Sequence, residues 1–93
     1  MCRNIRTLFN FDPPATDAEI RDASLQFVRK VSGFHQPSKA NERSFHVAVD
    51  EITQVSTSLL RSLETNAQPR TREQEIAKAK ARSIARFTAR VSA

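Results

Sequence analysis

Apolar residues recur along this chain at three- and four-residue spacing, the period of one face of an α-helix, with no run of strict alternation that would suit a half-buried strand. Three stretches carry the pattern. In the first, Ile20, Ala23, Phe27, Val28 and Val31 share a face. Thr16 with Glu19 three residues on forms a capping box at its start. Asp17 and Glu19 suit the positive end of the helix dipole, and Arg29 and Lys30 the negative end. Gly33, the sole glycine, is placed to end the helix in a left-handed conformation. The predicted helix covers 16–32.

The second stretch is longer. Phe45, Ala48, Val49, Ile52, Val55, Leu59 and Leu63 form a stripe that Leu60 widens, predicting a helix over 38–64 with Ser38 or Asn41 as N-cap. At about 1.5 Å per residue it would span roughly 38 Å. Ser56, Thr57 and Ser58 lie inside it and allow a bend. The third stretch, 71–91, opens on Thr71 with Glu73 in the first turn; Ile76, Ile84, Phe87 and Val91 share a face with Lys80 in its middle. That lysine must snorkel or mark the edge of the packing. Before the helices lies a leader, 1–15, whose Ile5, Leu8, Phe9 and Phe11 are apolar enough to pack on the body, with room for one helical turn before Asp12-Pro13-Pro14 stops it. The pattern predicts an all-α single domain: a three-helix bundle with an ordered apolar N-terminal segment and a long second helix.

Composition narrows this further. Ninety-three residues allow one modest core. One glycine and four prolines are too few turn-formers for a multistranded barrel or sandwich. The apolar share reaches 39% only with the help of twelve alanines, so a deep enclosed pocket with a rigid catalytic shell is not expected. One cysteine cannot form an internal disulfide. The first residues lack the apolar core and cleavage site of a signal peptide, and no stretch approaches eighteen apolar residues. A cytoplasmic protein is expected.

The net charge of +5 is local. Between Arg70 and Arg90 seven bases meet two acids, and everywhere else bases and acids balance. Lys78, Arg82, Arg86 and Arg90 recur every four residues on one side of the third helix. Like charges at that spacing disfavour the isolated helix, so an anionic partner would offset the repulsion. Arg3 and Arg6 are further anion-binding candidates. The partner could be a nucleic-acid backbone or an acidic protein. With alanines in the spaces between the bases, the stripe could sit on phosphates but not read bases. A membrane is not expected, because the large apolar residues of this helix are needed for the core.

Little else could carry chemistry. Cys2 is the only thiol; Arg3 and Arg6 would favour its thiolate. With His35 and His46 it makes a weak metal set, conceivable only if the leader folds back, and no close ligand spacing supports it. His46 and Asp50 make an ordinary i,i+4 pair. There is no glycine-rich phosphate loop and no paired acid–base site, so no catalytic residue and no cofactor is assigned, and enzyme activity is not expected. The alternatives to a binding protein are a metal or redox role at Cys2, or a structural homo-oligomer paired through the second helix.

Two resemblances stand beside this reading. The opening Met1-Cys2-Arg3-Asn4-Ile5-Arg6-Thr7-Leu8-Phe9-Asn10-Phe11, the cap Pro13-Pro14-Ala15-Thr16, the stretch Arg29-Lys30-Val31-Ser32-Gly33-Phe34 and Pro37-Ser38-Lys39-Ala40-Asn41-Glu42 resemble a family of small bacterial proteins of unknown function. That resemblance implies no activity. More loosely, Thr16-Asp17-Ala18-Glu19-Ile20 and the helices on either side of His35 look like the second and third helices of a J-domain. The loop reads His35-Gln36-Pro37-Ser38, with the proline displaced and the aspartate of the His-Pro-Asp tripeptide missing, so co-chaperone chemistry does not carry over.

Overall fold

The computed structural model describes residues 5–92, and side chains as far as residue 89. The fold is all-α: α1 (Asp17–Ser32), a 3-10 turn at Lys39–Asn41, α2 (Glu42–Ser62) and α3 (Arg72–Ser92). The capping box forms as the sequence predicts, the Thr16 hydroxyl accepting from the Glu19 amide and the Glu19 carboxylate accepting from the Thr16 amide. Gly33 ends α1 at φ 78, with its amide donating to the Arg29 carbonyl.

A Cβ at Gly33 would meet nothing within 4 Å. Replacing Gly33 with alanine therefore tests the backbone alone, and chemical denaturation should register a loss of about 1 kcal/mol. A neutral or stabilising change would mean that α1 ends in some other conformation.

α1 and α2 form an antiparallel hairpin whose core is Val28, Phe45 and Val49, with Leu25, Ala48 and Ile52 packed against it. Val49 is the most completely buried side chain, and Ile20 and Phe11 are buried beyond this cluster. Ser24, also buried, satisfies its hydroxyl on the Ile20 carbonyl. α2 runs unbroken through Ser56-Thr57-Ser58. Thr53 and Thr57 instead turn their hydroxyls back to the carbonyls of Val49 and Thr53 one turn earlier. Neither Ser38 nor Asn41 caps by its side chain; the Asn41 side-chain Nδ2 donates to the Ser38 hydroxyl and its backbone amide to the Ser38 carbonyl.

Three expectations change. The described leader contains no helical turn; it is irregular, bends at Phe9 and Asn10, and makes an isolated bridge between Phe11 and Arg70. Asp50 pairs with Arg21 of α1 at 2.6 Å rather than with His46, which lies exposed with its ring edge-on to Phe45. An arginine across the hairpin supplies a permanent charge and a planar fork of donors that suits a carboxylate. Finally, the apolar face of α3 is not part of the core. The α3 backbone approaches neither α1 nor α2. The radius of gyration is 16.6 Å, against about 12 Å for a compact chain of this length. The fold is thus the predicted all-α arrangement of three helices, with α3 projecting from the α1–α2 hairpin.

Candidate functional site

The direction of α3 is set at its first residues. Asn10 adopts a positive φ of 64, which asparagine tolerates better than most residues. Its carbonyl accepts from the Arg70 amide, and the Asp12 amide donates to the Arg70 carbonyl. The Asn10 side chain also donates to the Gln68 carbonyl at 3.2 Å. The segment between α2 and α3 is thus sewn to the leader. Thr71 then caps α3 reciprocally with Gln74: each backbone amide donates to the other's side chain at 3.1 Å. The Thr71-Arg72-Glu73-Gln74 spacing, a Thr with a Gln three residues on, is the sequence signal for this cap.

Arg72 completes the anchor. Its guanidinium grips both carboxylate oxygens of Glu19, at 2.9 and 3.0 Å, and stands 4.5 Å from the centroid of the Phe11 ring. Fork-to-fork geometry and the cation–π contact hold a planar cation in one orientation. Glu19 therefore serves two elements, capping α1 and tying down α3. The amide of Thr16 lowers its pKa most; burial, the next largest effect, opposes it, and the Arg72 charge and the side-chain hydrogen bonds to Thr16 and Arg72 lower it further.

The sign of the linkage follows. A carboxylate whose folded pKa is depressed contributes stability that is fully present above its unfolded pKa, about 4.3. That contribution is lost as pH falls through the lower folded value. Glu19→Gln keeps an oxygen for the cap but loses the charge that faces Arg72. The variant should be less stable than the parent at pH 7, and the gap should close below about pH 4. A gap independent of pH would show that the ion pair contributes nothing.

Beyond this anchor, α3 is solvent-exposed. Lys78, Arg82 and Arg86 stand in water, and among the described residues no carboxylate pairs with them. Arg90 occupies the next position of the same ladder in the helix. On the opposite side Ile76, Ile84 and Phe87 are 64, 56 and 68% exposed. The premise that set membranes aside, that these residues are needed for the core, does not hold.

The remaining candidates are scattered. Cys2 and Arg3 lie outside the described residues. Arg6 is separated from the basic helix; it lines an open groove of about 570 Å³ with Leu8, Glu19, Asp22, Arg29 and His35. Arg29 spends its Nε on the His35 carbonyl there. The groove mixes both signs of charge and encloses nothing. Among the described residues no group of three His, Cys, Asp or Glu could hold a metal ion, and no helix is long and apolar enough to cross a membrane.

A family model matches residues 1–78. The chain belongs to the family described as Uncharacterized conserved protein (DUF2277). No curated protein and no solved structure matches it. The DUF2277 match contains the leader, the α1–α2 hairpin, the Arg72 anchor and the first turns of α3. It ends at Lys78, so Arg82, Arg86 and Arg90 follow the part of the chain that DUF2277 describes.

Proposed function

We propose that this protein is a cytoplasmic binding protein that uses α3 to grip the phosphate backbone of a nucleic acid without reading its sequence. The observation that carries the reading is that α3 stands clear of the body with Lys78, Arg82 and Arg86 exposed and unpaired with any described carboxylate. Bases four residues apart on a helix lie about 6 Å from one another along the axis, so the ladder from Lys78 to Arg90 is about 18 Å long. Such a row neutralises phosphates and gains by counterion release. The ladder itself is built of Lys and Arg, and the one aromatic of α3, Phe87, belongs to its apolar side, so a row of bases to stack on is lacking. Because three of the four ladder positions follow the family match, the activity is proposed for this chain and not for DUF2277 as a whole.

The test is a fluorescence-anisotropy titration of labelled duplex DNA and RNA with the full chain at several salt concentrations. Binding that is indifferent to sequence and weakens steeply with salt is expected. Absence of binding at low salt, or binding to anionic vesicles in its place, overturns the reading.

A further inference from the structure

We propose that two copies of this chain exchange α3, each third helix lying on the α1–α2 hairpin of the other. Two observations meet here. The first is an uncovered apolar flank on the hairpin. The ion pair between Arg21 and Asp50 marks one flank of the antiparallel pair. At 100° per residue, Phe27 and Val31 of α1 and Val55 and Leu59 of α2 fall on the other. Val31 is 71% exposed, Val55 70% and Leu59 55%. Two antiparallel helices with apolar residues on the same flank form the seat that a third helix fills in a bundle. The second observation is the exposed face of α3. Ile76 to Phe87 spans the same number of residues as Ala48 to Leu59, about 17 Å of helix in each case. Lys80, in the middle of the α3 face, would meet Glu51, which borders the seat beside Val55.

The occupant is the α3 of a second copy because the exit of its own α3 is fixed. For α3 to lie back on its own hairpin, Arg72 would have to leave Glu19 and Phe11. In an exchange the anchor stays intact. The seat and α3 each leave large apolar side chains more than half exposed. A reciprocal exchange makes that contact twice, which brings the covered surface toward the roughly 1,600 Å² of a stable protein interface. The basic ladder faces away from the apolar stripe, so an exchanged pair keeps two ladders in solvent.

Sedimentation equilibrium of the full chain from micromolar to millimolar concentration reads the association. A dimer is expected, and Phe87→Glu on α3 or Val55→Glu on the seat should each give a monomer with unchanged helical circular dichroism, since both positions are exposed in the single chain. A monomer throughout the range overturns the proposal, as does a dimer that survives both substitutions. A second arm separates exchange from closure. Oxidation of a chain carrying Cys2→Ser, Val55→Cys and Ile84→Cys should give a covalent dimer on a non-reducing gel. A cross-linked monomer would mean that α3 lies on its own hairpin and would overturn it. This proposal is independent of the nucleic-acid reading: Arg82→Glu with Arg86→Glu should leave the dimer intact.

Discussion

Phe45→Ala is expected to unfold the chain at physiological temperature. Truncating a buried phenylalanine costs about 3 to 5 kcal/mol, from lost transfer energy and the cavity left behind. A chain of this length has a total stability of about 5 to 14 kcal/mol, and this one sits at the low end because its core is drawn from two helices and not three. Among the described residues Phe45, Val28 and Val49 form the buried hairpin cluster, with only the partly buried Leu25, Ala48 and Ile52 packed against it, so little shares the loss. Far-ultraviolet circular dichroism with thermal or urea denaturation would read it as a missing or strongly shifted transition. The same truncation at Phe87, exposed on α3, is expected to change stability by no more than about 0.5 kcal/mol in dilute solution. A Phe45→Ala chain that kept its transition within 1 kcal/mol of the parent would place the core elsewhere.

The second large effect concerns the ladder. With four phosphates neutralised by Lys78, Arg82, Arg86 and Arg90, the affinity for duplex should fall with salt at a logarithmic slope of about −3.6. Raising salt from about 50 to 200 mM would then weaken binding roughly a hundredfold. Arg82→Glu with Arg86→Glu removes two contacts and adds two repulsions. The slope should drop to about −1.8 or less, and the same change in salt should cost roughly tenfold. The substituted positions are exposed, so the fold should not change. Equal slopes for the two proteins would mean that any binding comes from elsewhere on the surface.

The local signals were legible because they are made by neighbours in sequence. The Thr16–Glu19 box, the left-handed Gly33 and the three amphipathic periods each depend on residues within one or two turns. The basic ladder, too, was legible as a spacing of four. What was not legible depended on distant partners. Asp50 lies one turn from His46, yet it meets Arg21, 29 residues away. Arg72 looked like one more base in a charged terminal segment, yet it grips Glu19 and covers Phe11. The leader looked able to form a helical turn; its amides and carbonyls instead find partners in the segment before α3.

The sequence by itself determined that this is a helical protein, how its first helix is capped and ended, and that its excess charge belongs to the last helix. Propensity, capping and periodicity are local, and they suffice for that. Only the tertiary structure decided what the apolar face of the third helix does. Periodicity says that such a face exists, but not whether it is buried against the same chain. That depends on the exit from the preceding loop, and here Arg70 on the leader and Arg72 on Glu19 send the helix away from the hairpin. A face that reads as core in the sequence is left in water, and with it the basic ladder.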